Sequence, residues 1–494
     1  MGAEAGIQSY LGNANEDVVV AVADSRWEEI YSSVPLLEVP WRFQEIWRSP
    51  FMLQYLRTVL RLCPRGSRTL ETGIGSGFGA IWLSKRGCRA AGIDSSARLV
   101  ERAKIVNNVL GGSAVFEVGD LFDLGPHGAG RLLAAGSDEG DTDAADGECA
   151  AGKELAGQRR RGARKGGSAP GAVQAGAGLR GGNGRGARFR ESAAASERYA
   201  VVHHQGVLEH YDVARVRRAL AQQVTMGDWV VFSVPSVYYP YDPEFGDERL
   251  LTLEAWQRIL EPFRVEQLEY YGDDALGARE HVLCVVEGER RSGSKPRREI
   301  ERLMRAEYDP YEEGITAIVH TRNEERNITD CLRTLVGKVD GMVVCDMESS
   351  DGTVKAAESV GAEVVRHPEI QNFDRSRNVS AVMARHRWIL YVDADERVPE
   401  GLLPRLRKLL EEHGSEFDGL MIPFRHFFAG RWMRSLYPGY TAPRLLRNGR
   451  FVWGARPHSG CAVDGRLELF AADDPALALE HYSYDSVAHI ISKR

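Results

Sequence analysis

Paired cysteines are the first thing this sequence lacks. Its seven cysteines, at 63, 88, 149, 284, 331, 345 and 461, are odd in number and include no C-x-x-C spacing. That excludes a disulfide framework or a cysteine zinc site as the organising device, and reduced buried thiols in a cytoplasmic protein are expected. Long apolar runs are also missing: no stretch approaches 18 residues, so no transmembrane helix is expected, while peripheral membrane contact stays open. Charge is not concentrated in one sign. The 63 Lys and Arg against 70 Asp and Glu leave a net −7, which argues against a specific nucleic-acid partner. The start, "MGAEAGIQSYLGNANEDVVV", has no basic region followed by an apolar run, so no signal peptide is expected. Gly6 stands where myristoylation after Met1-Gly2 asks for Ser or Thr.

What is present is length and apolar content. At 494 residues with 43% hydrophobic side chains, the chain exceeds one ordinary domain and can fill more than one core. Residues 66–124 alternate strand and helix: "SRTLETGI", "GAIWLSKRG", "RAAGIDSS", "ARLVERAKIVNNVLG", "AVFEVGDLFDL". This alternation predicts a doubly wound α/β sheet. It stops over 125–197, which is rich in Gly, Ala, Ser and Arg, with an acidic run before a basic one; a disordered insertion is expected there. Strands resume with "RYAVVHHQGVLEHYD" and "DWVVFSVPS", then a helix "RLLTLEAWQRIL" and a last strand "HVLCVVEGE", placing the first domain at 1–288. A charged, helical linker is expected over 289–313. A second α/β alternation fills 314–494, from "GITAIVHTRNEE" to a final "HIISKR" that reads as the opening of a helix and suggests a shortened domain.

In "LETGIGSGFGA" the glycines 73, 75 and 77 fall at a strand-to-helix turn, where they permit close approach of a ligand. A dinucleotide fingerprint would need a glycine at Phe78, which disfavours an NAD-dependent oxidoreductase. Asp94 ends the next strand and suits vicinal ribose hydroxyls, and Asp120 ends the third. With "AGIDSS", "VGDLFDL", "GVLEHYD" and "VVFSVPS" in order, residues 40–288 resemble the class I S-adenosylmethionine-dependent methyltransferases. The resemblance implies that Glu71 with Gly73, Gly75 and Gly77 holds the methionine part, that Asp94 binds the ribose, and that Asp120 and Leu121 frame the adenine of S-adenosylmethionine. His204, Glu209 and His210 fall at the expected mouth, and His210 is the candidate general base.

The second domain has three apolar strands with polar exits: "AIVHTRNEE", "VVCDMESSDGT" and "WILYVDADER". In an open α/β sheet, ligands bind outside the carboxyl ends of strands. Asp393 and Asp395 share a face if the strand extends that far, and two carboxylates together suit a divalent cation; an exposed acidic turn before a helix is the competing reading. With "NFDRSRNVSA" between them, these motifs resemble the inverting GT-A nucleotide-sugar glycosyltransferases of family 2 type, closest to the branch related to lipopolysaccharide-core transferases. That implies a nucleoside pocket of Thr321, Glu324 and Asp346, donor contacts from Arg377 and Asn378, and Mg²⁺ or Mn²⁺ on Asp393 and Asp395. Arg444 and Arg447 are candidate diphosphate or acceptor contacts, since guanidinium groups suit phosphate oxygens. His458 and Glu396 are candidate bases.

The combined expectation is a bifunctional transferase. The C-terminal domain would move a sugar from a nucleotide diphosphate to a glycan, lipid-linked or small-molecule acceptor, with inversion, and the N-terminal domain would methylate within the same pathway. The rivals are a chain with one live domain, the other a binding or scaffolding module, and an interaction protein that works through its charged insertion.

Overall fold

The computed structural model describes residues 28–29, 31–45, 48–124, 198–240, 248–273, 278–289, 297–368, 373–434, 439–454, 460–470 and 474–484. The expected insertion 125–197, the chain start, His458 and the final "HIISKR" lie outside them.

The first sheet has seven strands: β1 Arg68–Thr72, β2 Arg89–Asp94, β3 Val115–Val118, β4 Tyr199–Gln205, β5 Gly227–Pro235, β6 Val265–Tyr271 and β7 His281–Glu287. Their order is β3-β2-β1-β4-β5-β7-β6, parallel except for β7, which runs antiparallel to both its neighbours. The helices are α1 Val39–Glu45, α2 Pro50–Leu62, α3 Phe78–Ser84, α4 Ala97–Leu110, α5 Val213–Met226 and α6 Leu253–Leu260. Their starts follow local chemistry. The Ser96 hydroxyl accepts from Leu99 N to cap α4, which ends at Gly111 in the left-handed region, and the Asp212 carboxylate accepts from Ala214 N and Arg215 N to cap α5. The apolar faces of α2, α3 and α4 close over the sheet through Leu56, Val59, Ile81, Trp82, Leu83 and Val100, all buried. Strand β6 was not expected from the sequence. It is an edge strand with mostly part-exposed polar side chains, so it carries no buried apolar run.

Glu289 and residues 297–303 pack on the first domain rather than spanning freely. Arg297 grips Glu289 with Nε 3.0 Å from Oε1, and helix α7 Arg298–Leu303 buries Ile300 and Leu303.

The second sheet contains β8 Glu312–Thr321, β9 Gly341–Asp346, β10 Glu363–Arg366, β11 His386–Asp393, β12 Glu396–Arg397, β13 Gly419–Phe428, β15 Thr441–Arg447 and β19 Leu479–Tyr484. The order is β10-β9-β8-β11-β15-β13-β19-β12, with β14 Arg431–Trp432 and β18 Leu467–Leu469 pairing with β13. Strands β16 Phe451–Trp453 and β17 Cys461–Val463 form a separate hairpin ladder. Helices α8 Glu325–Arg333, α9 Thr353–Ser359, α10 Phe373–Met383 and α11 Leu402–His413 complete the domain. Strands β8 and β11 are buried almost end to end, as parallel strands covered on both faces must be. Two α/β sheets, each with a parallel run, are therefore the architecture. The described residues of both belong to one compact unit.

Candidate functional sites

The loop after β1 carries Gly73, Gly75 and Gly77 at φ of +70°, +49° and +73°. A side chain is excluded at Gly75 twice over, by the left-handed backbone and because a Cβ there would stand 2.9 Å from the Tyr31 ring. Tyr31 thus roofs the loop, a role that no motif in the sequence announces. Glu71 sits beneath, 7% exposed, accepting from Ala80 N at 2.7 Å. Burial pushes its carboxyl up to about 8 against that hydrogen bond, and the charge of Asp94 adds to the rise. No cation partners Glu71 among the described residues. A buried carboxylate in that state suits an incoming ammonium, and this is what fits the residues to an amino-acid-bearing nucleoside.

Asp94 accepts from Ser96 N at 3.0 Å, and the Ser96 hydroxyl donates to Glu28. The Asp120 carboxylate accepts from Phe122 N at 2.8 Å. A cavity of about 700 Å³ brings Gly73, Gly75, Asp94, Asp120 and His210 onto one wall, a size within the roughly 300–1,000 Å³ of small-molecule sites. Glu71, Gly77 and Leu121 are not among the residues that line it. His210 ends a short turn, Leu208–His210, with Nε2 4.0 Å from Glu209 Oε1. His204 does not reach the mouth as expected. It is fully buried in β4, stacked on Phe232, and burial pushes its pKa down to about 3.

In the second sheet, Thr321 and Asp346 face each other across the β8–β9 ladder at the strand ends. Both are buried, and among the described residues Thr321 Oγ1 and Asp346 Oδ1 have no hydrogen-bond partner, while Asp346 Oδ2 accepts from Ser349 N at 3.0 Å. Two unpaired polar atoms side by side under a surface await a polar ligand. Glu324 opens α8 and accepts from Asn327 Nδ2 at 2.7 Å; its N–H donates to Thr353 Oγ1 at 2.8 Å.

The next strand end is where expectation and structure part. Strand β11 ends at Asp393, so alternation does not carry through to Asp395. The Asp393 carboxylate accepts from Arg377 Nη2 at 3.2 Å and Arg444 Nη2 at 2.8 Å. Burial opposes its ionisation, but those two guanidiniums outweigh it and hold the carboxyl well below the usual range. Asp395 instead meets His481, Oδ2 to Nε2 at 3.5 Å. Burial works against charging His481, and the Asp395 hydrogen bond overcomes it to raise the pKa. The two aspartates thus make separate contacts in this structure, Asp393 with two arginines and Asp395 with His481. Among the described residues no three His, Cys, Asp or Glu side chains converge as a metal cluster.

Glu396 is not an exposed turn acid either: it is 1% exposed, bonded to Arg444 Nη2 at 2.6 Å and to Asp393 N at 2.9 Å. Burial, opposed by Arg444 and aided by the charge of Asp393, pushes its carboxyl up to about 8. Arg444 is buried under this pair of acids, and Arg447 points elsewhere, with Nε on Asp418 at 2.9 Å. The side chain of Asn378 is spent on Trp453, its Nδ2 donating to the carbonyl and its Oδ1 accepting from the N–H, both at 2.9 Å. Arg377 lies 4.5 Å over the Trp453 ring. His481 is the residue sequence reasoning missed here; its alternation with Tyr482 and Glu480 gives only a strand signal.

Residues 316–462 match the model of glycosyl transferase family 2. The C-terminal part of the chain thus carries the resemblance expected of it. Among particular relatives, an uncharacterized glycosyltransferase of Rickettsia bellii is 34% identical over 189 residues, 36% of this chain and 63% of that protein. One of Rickettsia felis is 30% identical over 104 residues, 21% of this chain and 36% of its own length. The chain thus spans between about a third and under two thirds of the curated glycosyltransferases it matches. Solved structures with some likeness include Staphylococcus aureus TarS 1-349, at 19% identity and TM-score 0.26, covering 34% of this chain and 60% of that one. Another is magnesium protoporphyrin IX methyltransferase from Synechocystis with bound SAH, at 12% identity and TM-score 0.27, covering 57% and 99%. Among the described residues no helix is long and apolar enough to cross a membrane.

Proposed function

We propose that the C-terminal domain transfers a sugar from a nucleotide-diphosphate sugar to an acceptor hydroxyl with inversion, and that the N-terminal domain, residues 1–288, transfers a methyl group from S-adenosylmethionine within the same pathway. The observation that carries the first half is the unpaired, buried pair Thr321 Oγ1 and Asp346 Oδ1 beside the Asp393–Arg377–Arg444 cluster, at the ends of three adjoining strands. The nucleoside would satisfy those two atoms. Arg377, anchored to Asp393 and stacked on Trp453, is pre-set to meet the diphosphate, as a guanidinium held in one orientation loses little freedom on binding. The acceptor oxygen then attacks the anomeric carbon from the face opposite the diphosphate, whose bond electrons leave with the nucleotide, and the acceptor hydroxyl gives up its proton to a general base, for which His458 is the candidate.

A divalent cation would be held chiefly by Asp395, displacing the His481 contact, because two arginines already balance the charge of Asp393. Such a cation, when bound, neutralises charge on the leaving diphosphate. Glu396 acts through Arg444 as a positioning residue.

For the N-terminal half, the ammonium of the cofactor would take Glu71, and its ribose Asp94. Bound there, the cofactor would supply the methyl group, with the carbon–sulfur electron pair staying on sulfur, and His210 would take the proton of the acceptor hydroxyl whose oxygen gains the methyl. Calorimetry with S-adenosylmethionine, and separately with UDP and Mn²⁺, tests both halves. Asp395→Ala is expected to abolish metal-dependent sugar transfer while S-adenosylmethionine still binds. Unchanged transfer in that variant would return the aspartate to a structural turn.

A further inference from the structure

The cavity that holds Asp94 and Asp120 is not closed by the first domain alone. Its far side is lined by Gly449, Phe451, Val452, Ala462 and Asp464, all from the hairpin region of the second domain. The hairpin has two working faces. Phe451 and Trp453 turn inward onto Tyr391, with ring centroids 5.9 and 5.5 Å away. Val452 alternates outward with its ladder partner Ala462, and both face the cavity. Arg249 clasps the two domains there, donating from Nη1 to the His210 carbonyl at 2.9 Å and from Nη2 to the Phe451 carbonyl at 3.2 Å.

Charge at this end is sorted. Asp212 caps α5, and Asp464 is paired with Arg450 at 3.0 Å. Arg215 lies only loosely on Asp212, at 3.6 Å. Arg218 has no carboxylate partner among the described residues; its guanidinium lies 5.5 Å over the Phe122 ring, and its buried Nε makes no hydrogen bond. Both arginines also line a neighbouring cavity of about 340 Å³, so they stand where the two spaces meet.

We propose that the methyl acceptor is an anionic small molecule bound in a compartment built by both domains, with Arg215 and Arg218 as its anion contacts and hairpin β16–β17 as its far wall. The proposal rests on the methyltransferase reading above. A guanidinium with no carboxylate partner among the described residues, at a cavity junction, selects a phosphate or carboxylate, and the hydroxyl to be methylated lies elsewhere on the same molecule.

The full chain is given S-adenosylmethionine labelled in its methyl group, together with the small-molecule fraction of the source cell. Label is expected in products retained by an anion-exchange resin. Release by phosphatase marks a phosphate on the acceptor, and continued retention a carboxylate. Ala462→Trp, at an exposed position, is expected to lower transfer by about tenfold or more while S-adenosylhomocysteine affinity stays within about twofold. Arg218→Gln is expected to raise the extract dose for half-maximal transfer by about tenfold, again with cofactor affinity kept. Label confined to neutral or macromolecular products, or transfer indifferent to both substitutions, overturns the proposal. So does loss of cofactor binding in Ala462→Trp, which would give that wall to the cofactor. A wild-type chain that binds no S-adenosylhomocysteine fails one step earlier, at the methyltransferase reading itself.

Discussion

Glu71 is the residue whose chemistry reaches furthest beyond its motif. The sequence marked it as the acid before a glycine loop, but only burial tells that its carboxyl sits near pH 8. The sign follows directly. Below that value the unliganded site holds a proton, and an ammonium favours the ionised form, so cofactor binding expels the proton. Titration calorimetry at pH 7 in buffers of different ionisation heat should show release approaching one proton, fading above about pH 9 and absent in Glu71→Gln. A wild-type enthalpy independent of buffer would show that Glu71 does not meet the cofactor. Arg444 supports a second expectation. It stands buried between Asp393 and Glu396, and removing it leaves the buried Glu396 and the part-exposed Asp393 without their shared cation. Arg444→Met should cost about 3–5 kcal/mol in unfolding free energy, measured by denaturant titration, and sugar transfer should fall with it. These pairings were illegible in sequence because Arg444 lies 51 positions from Asp393; motif reading found each residue and not its partner.

At the scale of elements, strand ends were easier to read than what lies just past them. The exits of β1, β2, β8 and β9 were placed by apolar runs that stop at polar residues or glycine, and the side chains at those exits do gather at carboxyl edges. In the "VDADE" stretch the condition for a shared face is not met, because β11 stops at Asp393 and Asp395 lies past it, facing β19. Strand β6 escaped because an edge strand need not alternate. Helix α10 makes a checkable link: Asn378 fixes the β16 backbone with both ends of its amide. Asn378→Ala should lower unfolding free energy by about 1–3 kcal/mol, since Trp453 N–H and C=O are left unpaired in a buried place. Sugar transfer should also weaken as Trp453 shifts beneath Arg377. A variant as stable as wild type would show that the hairpin is held by its other contacts.

Over the whole molecule, the sequence disclosed two α/β halves and gave no sign that they interlock. The contacts that join them are side chains with no motif of their own. Arg217 reaches Tyr308 at 3.2 Å, Arg249 reaches Phe451, and Tyr311, whose phenol burial pushes well above its ordinary range, lies against Gly449. Residues read as a linker are thus packed between the halves, and unfolding one sheet would strip the other of buried surface. The chain should therefore melt in one cooperative calorimetric transition, not two. S-adenosylhomocysteine at a hundred times its Kd contributes about 2.7 kcal/mol to whichever unit binds it. If the halves are coupled, that ligand should move the entire heat-capacity peak, including the loss of sugar-transfer activity on heating. Two peaks, with only one responding to the cofactor, would mean that the sheets unfold independently and that the shared hairpin wall carries no stability between them.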